Sequence, residues 1–159
     1  MKRGDTMYQL LEKYSTLLLK VCFGFLSLPA IFIFCFLGYH IIIGLIDGNP
    51  LWFLYIVYFL VMSAAVIFIF TLIPSFKVVT LYEKDQLFSQ DAAKLMNLIM
   101  KRLGYITILF LIQLPFWYMI AQWDDAPGII IIISYIMGIA FTLTLIASVL
   151  KQIIEKGIA

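Results

Sequence analysis

Few side chains in this sequence are equipped for chemistry, and their positions narrow what that chemistry is. One histidine, His40, and one mid-run glutamine, Gln113, lie inside long apolar stretches. Polar and ionisable groups within a membrane mark ligand or ion pathways by default, because placing them there is expensive. His40 lies only one or two turns from the end of its stretch, where a neutral imidazole bonded to a backbone carbonyl is the plainer reading. No Cys, His, Asp or Glu accompanies it at metal-ligand spacing. Gln113 suits a hydrogen bond across helices better than solute binding. Pro115 just beyond it frees the carbonyl of Leu111, and Pro29 does the same to Phe25. Asp124 and Asp125 are neighbours in a Pro/Gly turn, whereas a paired-carboxylate catalyst needs opposed groups in different environments. Cys22 and Cys35 point to different faces of one helix, so they cannot bridge within it and read as buried free thiols. There is no G-x-S-x-G, no H-E-x-x-H and no glycine-rich phosphate loop. The expectation is no enzyme, no cofactor, no metal and no direct contact with nucleic acid.

The elements that must position these residues follow from composition. Of 159 residues 64% are hydrophobic and 13% charged, and the mean hydropathy is +1.07; a soluble domain is about half apolar and about a quarter charged. Four runs lack any Asp, Glu, Lys or Arg: 21–46, 51–74, 103–123 and 129–150. A run of about 20 apolar residues crosses a hydrocarbon core of roughly 30 Å as a helix. These predict four transmembrane helices in one membrane domain, 1–159, with residues 151–159 as a tail. The connections near 47–50 and 124–128 are too short to let consecutive spans part, so an antiparallel four-helix bundle is the economical packing. All eleven basic residues fall before the first span, between the second and third, or after the fourth, while the two short connections carry three aspartates. The positive-inside rule then places both termini and the central segment in the cytoplasm of a multi-pass cell-membrane protein. Trp52, Trp117 and Trp123 fall near the outer ends of spans, where an amphipathic ring suits the headgroup layer.

Two amphipathic segments precede the odd-numbered spans. Over 88–102, Gln90, Lys94, Asn97, Lys101 and Arg102 share one helical face, with Leu98 as the apolar intruder, and Ala92, Leu95, Met96, Ile99 and Leu103 share the other. Ser89 is placed to cap this helix and Asp91 to favour its dipole. Over 5–20, Leu10, Leu11, Tyr14, Leu17 and Leu18 oppose Gln9, Glu12, Lys13, Thr16 and Lys20. Both are predicted to lie as cytoplasmic amphipathic helices in the inner interface, with cations toward water, anionic headgroups or a protein partner. The fold class expected is thus an all-α integral membrane protein: a four-helix bundle with two such interfacial helices. On the fourth span, Ser134, Gly138 and Thr142 form a small-xxx-small ridge that permits close helix packing or homo-oligomerisation.

The run Phe88-Ser89-Gln90-Asp91-Ala92-Ala93-Lys94, followed by apolar residues and the third span, resembles the signature of a bacterial four-span membrane-protein family of unknown function, domain-of-unknown-function family 2975. The sequence departs from that pattern at Ala92, where Asn is usual, and at Met100, where Gly is usual. The resemblance implies a protein encoded beside a small helix-turn-helix regulator, and hence a membrane-bound sensor or sequestering partner. Two functions from different classes are therefore expected. In the first, a regulatory protein engages a cytoplasmic regulator through Lys94, Asn97, Lys101 and Arg102, side chains equally suited to anionic lipid. The alternative is a small transport, efflux or immunity component acting as an oligomer within the bilayer.

Overall fold

Each apolar run folds as part of one long helix in a computed structural model that describes residues 3–48 and 52–158, with side chains from Tyr14 onward: α1 (Arg3–Ile46), α2 (Trp52–Glu83), α3 (Gln90–Trp123) and α4 (Gly128–Ile158). Pro29, Pro74 and Pro115 sit inside α1, α2 and α3 without ending them. Membrane helices tolerate such prolines where neighbouring groups satisfy the freed carbonyls. Even the shortest helix, at 31 residues, is about 46 Å long at 1.5 Å per residue, well beyond a hydrocarbon core.

The surplus length lies at the end that carries the basic residues. This corrects the expectation of two separate interfacial helices. Residues 90–102 are the opening turns of α3, continuous with its span, and the segment before the first span is likewise continuous with α1. The physical reason is that the apolar face of 90–102 has a protein partner. Ala92, Met96 and Ile99 are buried against Ala147 and Ile154 of α4, with Val78 and Leu81 of α2 packed alongside. The four helices therefore extend past their apolar runs as a helical stub, about 12 to 20 Å long on α2, α3 and α4 at the standard rise. Of the two faces expected for the N-terminal segment, the side chains of Gln9 to Lys13 lie outside the described residues; Tyr14, Leu17 and Leu18 of the apolar face are exposed, while Thr16 of the polar face is buried and Lys20 pairs with Glu83 of α2.

Helix packing follows a repeat of seven. The buried positions of α3 include Ala92, Ile99, Ile106, Gln113 and Ile120; those of α4 are Ile133, Ala140, Ala147 and Ile154; α2 contributes Val57, Ala64 and Thr71. A seven-residue repeat keeps one seam in register along helices that wrap in a left-handed sense. Three apolar layers result. Phe53, Val57 and Ile120 lie toward the acidic turns, Ala64, Ile106 and Ala140 lie in the middle, and the Ala92 cluster lies in the stub. The Thr107 and Thr144 hydroxyls meet at 3.3 Å across the α3–α4 seam, each also within reach of a carbonyl one turn back, so that one can donate across the seam while the other donates to its own helix.

Among the described residues, close packing joins sequence neighbours only: α1 to α2, α2 to α3 and α3 to α4. Among the described residues α1 makes no close backbone approach to α4, so the bundle is open along that side. Of the described α1 side chains, Thr16 and Ala30 are the buried ones. The helix is held to α2 by the Lys20–Glu83 ion pair at 2.5 Å and by the Phe23 ring against Phe76.

Three helices end on a left-handed residue: Gly48 after α1, Asp85 after α2 and Asp125 after α3. At the last two, the amides of Gln86 and Ala126 reach back five residues to the carbonyls of Leu81 and Ala121, closing the helix end in a Schellman arrangement. An aspartate tolerates this conformation better than most residues, but glycine adopts it without the Cβ clash. Asp125→Gly is accordingly expected to stabilise the protein by about 0.5 to 1 kcal/mol, read as a rise in the denaturation midpoint in micelles; a lower midpoint would show that the carboxylate contributes more than the turn geometry indicates.

Candidate functional site

Two regions concentrate whatever this architecture can do, the basic stub and the mid-membrane interior. In the stub, Ser89 caps α3 as expected: its hydroxyl accepts from the Ala92 amide at 3.2 Å. The neighbouring Phe88 ring lies directly over Gly157 of α4, where any Cβ would collide with it. The signature segment thus ties the start of α3 to the end of α4.

The basic face is divided in its duties. Lys94 and Lys101 are exposed and Asn97 is half-buried. Lys94 lies 3.8 Å from Asp91, both well exposed, so the pair adds little and leaves the cation available. Arg102 is committed elsewhere: its guanidinium donates to the backbone carbonyl of Phe70 on α2. That carbonyl would ordinarily bond the amide four residues on, but position 74 is proline and has none. Arg102 thus fills the vacancy Pro74 creates. This sets it apart from Lys94 and Lys101, which share its face of α3.

In the interior, Gln113 is fully buried on α3. Its Oε1 accepts from Nε1 of Trp117 at 3.2 Å, one turn along the same helix, and its Nε2 is without a partner among the described residues. The expected bond across helices is therefore replaced by one along α3, because the facing positions of the seam are apolar or small. A polar residue at one position of a heptad seam fixes register at a cost in stability. His40 is exposed near the acidic turn of α1; its ring meets Phe36 and Tyr39 rather than a carbonyl. Among the described residues no three metal-ligating side chains come together. Cys22 and Cys35 are free thiols at exposed positions rather than buried ones. Ser134, Gly138 and Thr142 also lie on the exposed side of α4, so α4 meets α3 through Ala140 and Ala147 instead.

Sequence reasoning missed three features here: the Pro74–Phe70–Arg102 arrangement, the threonine pair and an apolar cavity of about 300 Å³ between the helices. A seven-residue search would have found the seam. The Arg102 contact joins segments 32 residues apart and leaves no local signal.

Four helices of this length and hydropathy define a multi-pass helical membrane protein. The chain belongs to the family described as "Protein of unknown function (DUF2975)", which matches residues 5–159. It is similar to "Uncharacterized membrane protein YoaS" of Bacillus subtilis (strain 168), with 25% identity over 150 residues, covering 93% of this chain and 94% of that protein. No solved structure matches the chain.

Proposed function

We propose that this protein is a membrane-bound regulatory partner in a bacterial cytoplasmic membrane, with its basic end in the cytoplasm, where it holds or releases a soluble helix-turn-helix regulator and performs no catalysis of its own. The observation that carries this reading is the stub. At the basic end the helices run on together around their own apolar layer, whereas at the other end they are joined by short acidic turns. A packed platform extending beyond the apolar runs at one end supports a docking role. The distribution of lysine and arginine supports its cytoplasmic orientation.

On the α3 face of the platform, Lys94 and Lys101 are exposed to an acidic partner surface, with Asn97 beside them, while Arg102 serves the fold. Because α3 is continuous from stub to span, a membrane cue that binds two packings of the spans unequally also shifts the stub. The test places a photo-reactive residue at Asn97 in intact cells and identifies what it captures. The expected result is one soluble DNA-binding protein, with capture lost and reporter expression changed in Lys94→Glu/Lys101→Glu protein that still inserts normally. Unchanged capture and reporter output in that variant would overturn the assignment.

A further inference from the structure

We infer that a groove between α2 and α3, at the basic end of the spans, binds one anionic phospholipid, with Lys77 and Arg102 on its phosphodiester and Phe70, Ile73 and Leu98 against its apolar body. This goes beyond the regulatory reading and stands without it. The groove encloses about 180 Å³. Its wall on α2 is a single helical stripe, Phe70, Ile73, Pro74 and Lys77, and the facing stripe on α3 is Leu95, Leu98 and Arg102. Leu98, the apolar intruder on an otherwise polar face, thereby finds its place. The charge-free runs stop at Pro74 and resume at Leu103, so the groove straddles the level at which apolar chain gives way to charge. That is the level of lipid headgroups.

The two cations are disposed to act together. Helical side chains lean toward the N-terminus of their helix. Because α2 and α3 run antiparallel, Lys77 leans back toward the span and Arg102 leans toward the stub. Both line the same groove, and no carboxylate does. Among the described residues the ion pairs are Lys20–Glu83, Lys94–Asp91 and Lys151–Glu155, and neither groove cation takes part in them. Arg102 gives one N–H to the Phe70 carbonyl. A guanidinium carries five in one rigid plane, so the contact that mends the break at Pro74 also orients the remaining donors.

Charge and polarity select the occupant. A free phosphate or an acidic peptide would meet the cations but not Phe70 and Ile73, which are 54% and 52% exposed. A neutral hydrocarbon chain would meet those two and leave the cations unmatched. A ligand with an anionic group on an apolar body satisfies both, and basic pockets between helices at a membrane surface take such headgroups. Its net charge is negative, because a headgroup ammonium would bring a third cation to a groove without a carboxylate. Phosphate suits the fixed guanidinium through charge-assisted hydrogen bonds.

The experiment uses the full chain in phosphatidylcholine nanodiscs doped with one of two probes at equal mole fraction. These are phosphatidylglycerol and phosphatidylcholine, each with a diazirine near the head of one acyl chain, and adducts are mapped by mass spectrometry after illumination. Peptides spanning 70–77 and 95–102 are expected to label about tenfold more with the phosphatidylglycerol probe, the decade that one charge-assisted contact supplies. Phe141, exposed on α4, labels alike with both. Lys77→Gln, at an exposed position, is expected to lower the preference by about threefold, half that decade in free energy. Lys94→Gln/Lys101→Gln removes more charge from the same end and leaves the preference in place. Equal labelling by the two probes in the unmodified protein overturns the site, a result that needs no variant to fold. An unchanged preference in inserted Lys77→Gln protein overturns it as well. So does an equal loss in Lys94→Gln/Lys101→Gln, which would reveal diffuse surface charge, or competition by dissolved glycerol 1-phosphate, which would show that the groove takes the bare phosphate.

Discussion

Arg102→Ala is expected to destabilise the protein by about 1.5 to 3 kcal/mol, the range for a hydrogen bond made by a charged group. Adding Pro74→Ala should recover most of the loss. The reasoning is geometric. Position 74 supplies no amide to the Phe70 carbonyl, and the Arg102 guanidinium takes that place from α3. An alanine at 74 restores the intrahelical donor, so the carbonyl no longer depends on a neighbouring helix, and a proline that is costly in a helix interior is removed at the same time. Denaturation in micelles of the two single variants and the double variant gives a cycle in which the double variant is more stable than additivity allows, by an amount of order 1 kcal/mol. Strict additivity, or an Arg102→Ala variant as stable as the unmodified protein, would show that the contact is incidental. The same contact decides which charges to reverse when a cytoplasmic partner is tested. Reversing Arg102 disturbs the α2–α3 junction and confounds loss of binding with loss of structure.

Ala147→Leu is the second large effect, expected to cost about 1 to 3 kcal/mol through overpacking. Ala147 lies in the stub layer among Ala92, Met96, Ile99 and Ile154, all buried, and three further heavy atoms there must displace α3 or α4. The contrasting variant is Gly138→Leu on the same helix. Nothing lies within 4 Å of a Cβ built on Gly138, and replacing a helix-interior glycine gains up to about 0.8 kcal/mol in propensity. Unfolding should therefore be impaired in resistance by the first change and unimpaired by the second. If Ser134, Gly138 and Thr142 join copies of the chain, Gly138→Leu lowers the oligomer mass in micelles without lowering the unfolding midpoint. Equal destabilisation by both substitutions would contradict the placement of the seam.

Much of the architecture was legible because it depends on single helices. The four charge-free runs, the Ser89 cap and the acidic turns are local patterns, and the structure contains the corresponding helices, cap and turns. What was misread depends on which partner a face meets. The stripe Ala92, Met96, Ile99 and Leu103 is equally suited to lipid and to protein; only the arrival of Val78, Leu81 and Ile154 from two other helices settles that it is core. Gln113 is fully buried, but its bond to Trp117 rather than across the seam depends on the apolar character of the residues opposite. The ridge on α4 drew notice because its residues are small and four apart. The true seam has small residues too, Ala140 and Ala147, at a spacing of seven.

The packing order also bears on how the chain is made. All three apolar layers involve α3, which lies between α2 and α4, while the first hairpin shares only the α1–α2 seam. During synthesis α1 and α2 therefore enter the bilayer before α3, the second partner of α2, exists, and Val57, Ala64 and Thr71 are left without it until α3 follows. A chain interrupted before residue 90 is thus an orphaned hairpin with an unfinished face, the state that a membrane quality-control protease is suited to remove.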